Sequence, residues 1–240
     1  MTHSASAPLD SAAAVAGATD RLIRRGLAVT AVGLAALGGV YYLALVQTPT
    51  ERWQGLAQKI LYVHAPSATT CLAAFFIAGI ASAMYLWLKD PRIDAFAEAS
   101  AEVGLAFGAV MLTTGPMWGK PVWGSWWQWE PRLTLTLLLV LLFLGYRALR
   151  SAIDDPGERA RYGAVVGIMA LVLVPFVHLS VYLFRTIHPQ PVVLKPSAPS
   201  LPGEMLTTLL VSFAVFHLVL YVGFVTVRYG LGRRAQEEAA

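Results

Sequence analysis

Residues 118–132 read WGKPVWGSWWQWEPR and separate two strongly apolar segments of the chain. Glycine and proline disfavour regular helix and strand, so the sequence predicts a constrained loop over this tryptophan stretch. One or two tryptophans here would be typical of a membrane–water interface. Five within twelve positions, with Trp126 and Trp127 as a candidate face-to-face pair, indicate a broad aromatic surface for a flat, amphipathic ligand. The five are Trp118, Trp123, Trp126, Trp127 and Trp129.

The composition around this stretch is that of an integral membrane protein. The chain has 240 residues, of which 57% are hydrophobic and 13% charged, whereas soluble domains have about 25% charged residues. Six apolar segments approach the ~20 residues that a helix needs to cross a bilayer. They lie near 26–46, 65–88, 95–117, 132–149, 162–184 and 204–228. The fourth is the shortest, and it spans only if its helix begins within the tryptophan stretch or if Arg147 extends its charge into water.

The sequence therefore predicts an all-α membrane protein with six transmembrane helices. We expect a disordered tail over 1–20, one six-helix membrane domain over 21–230 and a cytoplasmic tail over 231–240. Of the eighteen lysines and arginines, twelve fall on the side of the two termini and six on the other. This bias predicts that both termini are cytoplasmic. Residues 47–64, the tryptophan stretch and residues 185–203 then face the outside.

The two other outer segments each contain a histidine. In residues 47–64, Trp53, Leu56, Ile60 and His64 recur at helical spacing, which predicts a short helix in the interface. Residues 185–203 hold five prolines and predict an extended loop, with His188 at its start. The sequence has neither a phosphate-binding loop nor a basic domain for nucleic acid. Its single cysteine cannot form an internal disulfide.

His64 and His188 are candidate axial ligands of an iron porphyrin. Each is expected at a helix end on the same side as the tryptophans, where an imidazole can reach a ligand there. No second histidine lies three or four residues from either one, which disfavours a zinc site. Arg132 suits an interface anchor or a partner of Glu130, and its guanidinium also suits a haem propionate. Lys59 is a candidate for the second propionate.

The remaining polar residues within the spans have plainer interpretations. His217, near the middle of the sixth segment, is interpreted as a hydrogen-bonded core histidine, with a proton relay as the less favoured reading. His178, in the outer part of the fifth segment, suits either a contact with a neighbouring helix or a site at the outer surface. Glu98 and Glu102, near the start of the third segment, are interpreted as structural.

The run WGSWWQWEPRLT resembles the tryptophan-rich WWD signature of membrane proteins that handle haem during cytochrome c biogenesis. The similarity extends to GPMWGKPVWGSWWQWEPRLT, to KILYVHAPSA and to FRTIHP, and it covers roughly residues 20–230. With six predicted spans, the chain resembles the CcmC (haem exporter protein C) family of the bacterial system I pathway. Larger WWD relatives have more spans and do not fit this length.

The resemblance implies a function and a set of site residues. His64 and His188 match the family's haem-ligating histidines, and the five tryptophans and Arg132 match its loop motif. Glu130 stands where the family usually has aspartate, and Lys59 where it has arginine. The family binds haem b as transient cargo at the periplasmic face of the inner membrane.

The resemblance also implies partners. Members pass haem to the periplasmic haem chaperone CcmE within an ABC-type CcmABCD complex, so we expect the membrane subunits CcmB and CcmD and the separate ATPase CcmA as partners, besides membrane lipid. The chain would then be a haem-transfer subunit and not an enzyme, and no nucleic-acid partner is expected.

Two other functions are consistent with a six-helix membrane chain. A b-type cytochrome that transfers electrons would need histidines facing each other inside the bilayer, and only His178 and His217 are placed for that. A structural or transport subunit would use its tryptophans only as anchors. It would bind no chromophore and tolerate the loss of both His64 and His188.

Overall fold

The computed structural model describes residues 7–188 and 201–238, and its regular structure there is helical apart from one isolated bridge. The helices are α1 (Ala7–Tyr42), α2 (Leu61–Leu88), α3 (Pro91–Trp123), α4 (Pro131–Ser151), α5 (Pro156–Leu183), α6 (Gly203–Ala214) and α7 (Tyr221–Glu238). A π-helical segment, Val215–Leu220, joins α6 to α7, so the two form one span. Within the described residues, six helices are long and apolar enough to cross a membrane, which confirms the predicted all-α membrane fold.

Three helices begin with an acidic residue followed by proline. In Asp90–Pro91, Glu130–Pro131 and Asp155–Pro156, the carboxylate accepts a hydrogen bond from a backbone N–H of the first turn. Proline suits the first helical position because the N–H that it lacks would have no partner in the helix. α4 therefore begins inside the tryptophan stretch and reaches 21 residues, or about 30 Å. The shortest predicted segment is thus long enough to span.

The two ends of the chain are helical over more residues than the sequence indicates. A tail was expected over 1–20, but α1 begins at Ala7, and α7 continues to Glu238 through the expected C-terminal tail. The Thr19 hydroxyl donates to Glu237 at 2.8 Å, and Asp20 pairs with Arg234. These contacts join α1 to α7. Residues 1–6 and 239–240 of the predicted tails lie outside the described residues.

α2 lies in the middle of the bundle, where it contacts α3 and α5, while α4 packs on α5 and α1 on α7. The approach of α2 to α5 is close. A Cβ added at Gly79 of α2 would lie 2.5 Å from the Cβ of Leu171 on α5. Small residues permit such backbone contacts between membrane helices. Between α2 and α4, the rings of Phe75 and Phe143 stack with centroids 3.8 Å apart.

A cluster of ion pairs joins the helices at one end of the bundle. Arg150 of α4 donates to both carboxylate oxygens of Asp94 on α3, at 2.7 and 2.9 Å, and to Glu98 at 2.8 Å. Arg147 pairs with Glu102 at 2.8 Å. The structural interpretation of both glutamates is confirmed, through ion pairs to α4. We call this end, with residues 89–102 and 147–156, the arginine end.

The opposite end is the tryptophan end, with residues 48–64, 114–132 and 184–188. Loops and helix termini from three parts of the chain meet there. Of the proline-rich loop expected over 185–203, residues 189–200 lie outside the described residues.

Candidate functional site at the tryptophan end

The first half of the tryptophan stretch is helical. α3 continues through Pro116 and Pro121 to Trp123, so the prediction of a loop beginning at Trp118 is wrong. Gly119 does not break the helix. It leaves room for the ring of Trp123, which would lie 3.1 Å from a Cβ at that position. The connection proper is residues 124–130, and Gly124, at φ +76°, ends α3 in a left-handed conformation that glycine adopts without strain.

His64 lies in the first turn of α2, and its ring is held against α3. Its Nδ1 lies 3.0 Å from the hydroxyl of Thr114, and a Cβ added at Gly115 would come within 3.1 Å of its Cε1. The indole of Trp118 packs edge-on to the imidazole, with ring centroids 5.8 Å apart. Three neighbouring positions of α3 thus fix the orientation of one predicted axial ligand.

A turn before α2 holds Trp118 from the other side. The side-chain oxygen of Gln54 accepts a hydrogen bond from the Trp118 indole N–H at 2.8 Å. Glu51 in turn accepts from the backbone N–H groups of Trp53 and Gln54. The interface helix expected over 47–64 is shorter than predicted. It begins at Leu56 as a 3₁₀ turn that leads directly into α2.

His188, the second predicted ligand, follows α5 and lies beside the end of α3. Its ring centroid is 6.3 Å from that of Trp123. The backbone N–H of His188 donates to the hydroxyl of Thr186 at 3.1 Å, and that hydroxyl donates to the carboxylate of Glu130. Glu130 also caps α4 by accepting from the Leu133 N–H at 2.7 Å. This acidic residue of the motif therefore links the start of α4 to the segment that carries His188.

The structure brings the two histidines and the arginine to one place. His188 and Arg132 both lie close enough to His64 for their charges to act on its imidazole. His64 and His188 come from chain positions 124 residues apart and from opposite sides of the tryptophan stretch. Each has a different α3 tryptophan as its aromatic neighbour. Two imidazoles, two indoles and a guanidinium thus share the tryptophan end.

The tryptophans of the connection have a different arrangement from the one expected. Trp126 and Trp127 do not form the expected stacked pair. Instead, Trp127 packs edge-on to Trp129, with ring centroids 5.8 Å apart and an interplanar angle of 76°. Trp126 is 59% exposed and Trp129 is 77% exposed. The connection therefore presents two open indole faces, while Trp127 is half-buried beneath them.

Two hydrogen-bond donors at this end are buried without an acceptor among the described residues. They are the Nη1 of Arg132 and the indole Nε1 of Trp127. A buried donor without a partner costs free energy, about 1–3 kcal/mol for a neutral group and more for a charged one. Each is a donor suited to an anionic ligand group, and a carboxylate matches a guanidinium in shape.

Lys59 is placed differently from its predicted role. Its ammonium is buried and donates to the backbone carbonyls of Thr48 and Pro49, the second at 3.1 Å. These bonds tie the segment after α1 to the turn that leads into α2. They use two of the three N–H groups of the ammonium, and its contact with a ligand carboxylate stays a prediction.

The other two histidines lie away from this cluster. His217, in the π-helical segment, approaches Phe213 O at 3.0 Å and the Thr70 hydroxyl at 3.3 Å through its Nδ1. His217 is therefore hydrogen-bonded, as interpreted, and half-buried. His178 is exposed on α5, and its ring contacts Tyr182. Among the ring contacts of the described residues, neither histidine is paired with a tryptophan.

Sequence reasoning missed four residues that position the site: Gln54, Thr114, Gly115 and Thr186. One signal was available for Thr114, since it precedes Trp118 by four residues and so shares a face of α3 with it. Thr186 lies two residues before His188, and this closeness in sequence was a weaker signal. Gln54 and Gly115 had none, because their partners are distant in sequence.

Comparison with known proteins identifies the family of the chain. The chain matches the family "Heme exporter protein C" over residues 7–240. The chain belongs to this family. Proteins named Heme exporter protein C are 37% identical in Bradyrhizobium diazoefficiens, over 80% of this chain and 72% of the relative, and 35% identical in Haemophilus influenzae, over 82% and 78%. The Escherichia coli K12 protein is 31% identical over 68% of this chain and 65% of its own length.

Membership of the Heme exporter protein C family confirms the resemblance carried by the tryptophan motif and the two histidine contexts. Together with the six apolar helices, it makes the chain a multi-pass membrane protein.

Proposed function

We propose that this chain binds haem at the tryptophan end, with His64 and His188 as the axial ligands of its iron. The observation that carries the proposal is the meeting of these two imidazoles beside Trp118 and Trp123, with Arg132 in electrostatic range. Two neutral imidazoles are a common ligand pair for haem iron. The family name of its relatives points to haem as the cargo.

The other groups of this end suit the periphery of a porphyrin. The exposed faces of Trp126 and Trp129 offer surfaces for stacking. The buried donors of Arg132 and Trp127 lack acceptors within the described residues, and haem propionates would supply them. Glu130 acts as a support, because its carboxylate is already engaged by the α4 cap and by Thr186.

The proposed location is the periplasmic side of the bacterial inner membrane. The excess of lysine and arginine on the side of the termini supports a cytoplasmic arginine end. The tryptophan end would then face the periplasm, where haem is delivered to the chaperone CcmE.

The chain would act as a carrier subunit of a CcmABCD complex, with ATP hydrolysis assigned to CcmA. Axial ligation by side chains at a membrane edge leaves one side of the cargo open to an acceptor.

The test is the visible absorption spectrum of the purified protein after co-expression with its haem chaperone. His64→Ala and His188→Ala are each expected to remove or shift the Soret band. His178→Ala is the matched control, because it removes an exposed histidine outside the cluster and is expected to leave the band unchanged. A colourless wild-type protein, or a band indifferent to the first two substitutions, would refute the assignment.

A further inference from the structure

The hydroxyl of Thr114 and the backbone carbonyl of Met111, both on α3, lie beside the imidazole of His64. The hydroxyl is the side-chain group placed to favour one position of the imidazole proton. Thr114 Oγ1 lies 2.7 Å from the carbonyl oxygen of Val110, one turn earlier on α3, and 3.0 Å from Nδ1 of His64. A hydroxyl has one proton to donate and can also accept. A carbonyl only accepts, so the shorter contact uses the hydroxyl proton. Both contacts are then hydrogen bonds only if Nδ1 of His64 carries the other proton.

A second contact sets the plane of the same ring. Gly115 lets the imidazole lie directly on α3, since a Cβ there would approach Cε1 to 3.1 Å and Nδ1 to 3.7 Å. Nε2 would lie 4.0 Å from the same Cβ, so the two ring nitrogens flank the edge that faces Gly115. Nδ1 is the one that faces the Thr114 hydroxyl. With the proton on Nδ1, the lone pair belongs to Nε2, the nitrogen free to ligate a metal ion.

We propose that Thr114 is a positioning residue that holds His64 in the Nδ1–H tautomer and so presents Nε2 to the haem iron. The proposal deepens the proposed function and rests on it for the identity of the ligand, although the tautomer itself does not depend on bound haem. A hydrogen bond from the second nitrogen of a ligating histidine raises its basicity and fixes its orientation. Losing such a bond typically weakens metal binding by about 10–100-fold.

The adjacent residue provides a matched control. Thr113 is exposed, and its hydroxyl donates to Ala109 O at 2.8 Å, in the same way that Thr114 bonds to Val110. Thr113 makes no contact with His64 among the described residues. Thr113→Val therefore removes the same group from the same helix without touching the imidazole. Thr114→Val keeps the side-chain shape and removes the hydroxyl, whereas Thr114→Ser keeps the hydroxyl.

With haem bound to the full-length protein, Thr114→Val is expected to weaken haem binding about tenfold. It should also raise the reduction potential, because a less basic imidazole stabilises ferric iron less. Thr114→Ser and Thr113→Val should both stay near the wild type. Equal effects of the two valine variants, or failure of the serine variant to restore the potential, would overturn the proposal. Either result leaves ligation by His64 intact.

Two further measurements do not depend on haem affinity. In haem-free protein labelled with ¹⁵N-histidine, the His64 signals, assigned with His64→Ala, should show a protonated Nδ1 in the wild type and a changed tautomer ratio in Thr114→Val. A wild-type His64 protonated at Nε2 would overturn the proposal even if no haem were ever bound. Gly115→Ala should displace the ring and alter the same ¹⁵N signals, and unchanged signals would contradict the contact.

Discussion

Replacing Arg150 with methionine is expected to lower the free energy of unfolding by about 3–5 kcal/mol, the cost of removing one partner from a buried ion pair. The Arg150 side chain is 2% exposed and that of Asp94 is 11% exposed. Two parallel hydrogen bonds, at 2.7 and 2.9 Å, join them. Methionine keeps an unbranched apolar stem but is shorter than arginine and has no charge, so the substitution leaves a buried carboxylate with no cation on it among the described residues.

The assay is unfolding in mixed micelles with increasing SDS, followed by tryptophan fluorescence. Arg92→Met is the matched control, because Arg92 also holds an aspartate through a fork of hydrogen bonds but its side chain is 66% exposed. Those bonds lower the pKa of Asp90 from its usual value. A solvent-exposed pair contributes little to stability, so this variant should unfold close to the wild type.

A second substitution separates the charge from the packing. If the loss comes from the stranded carboxylate, Asp94→Asn added to Arg150→Met should recover a substantial part of the stability. A loss below about 1 kcal/mol in Arg150→Met would show that this buried pair contributes no more stability than an exposed pair, and it would refute the reasoning. No recovery in the double variant would show that the loss comes from the volume or the stem of the arginine.

Three other substitutions test separate parts of the structure. Trp127→Phe, which keeps an aromatic ring but removes the indole N–H, should weaken binding of haem about tenfold or more but leave haem dimethyl ester unaffected. Trp126→Phe should change neither titration, and equal losses for both ligands would exclude a bond to the propionates. Lys59→Met should lower the free energy of unfolding by about 1–3 kcal/mol through unpaired carbonyls, as measured by SDS unfolding. A loss of affinity for haem but not for its ester would instead assign Lys59 to a propionate. Gly79→Ala should cost about 1–3 kcal/mol by overpacking α5, measured in the same way. Gly38→Ala, with open space around it, should cost nothing.

The parts of the fold that the sequence predicted are those set by solvent and local chemistry. A run of some twenty apolar residues must be helical in a bilayer because its backbone groups have no water to bond. For that reason the six spans follow directly from hydropathy. The start of α4 was also readable, since Glu130 followed by Pro131 is a local capping pattern whose partner lies three residues away.

The end of α3 could not be predicted from the sequence, because it depends on contacts with distant parts of the chain. Gly119 and Pro121 are local signals against helix, yet the helix passes through both to Trp123. The contacts that outweigh them come from elsewhere in the chain. Trp118 bonds to Gln54, 64 residues away, and packs on His64. A local preference of about 1 kcal/mol for glycine is easily overcome by such contacts.

The same difference between local signals and long-range contacts decides which features of the site could be predicted. That His64 and His188 lie at the same end follows from the number of spans between them, and the sequence alone predicted it. Their orientation does not follow, because it depends on Thr114, 50 residues from His64, and on Glu130, 56 residues from Thr186. These bonds can form only after α3 packs on α2 and the end of α5 meets the start of α4. The ligand geometry is therefore a property of the packed bundle, and a change in haem affinity identifies a contact only when the unfolding free energy of the same variant is unchanged.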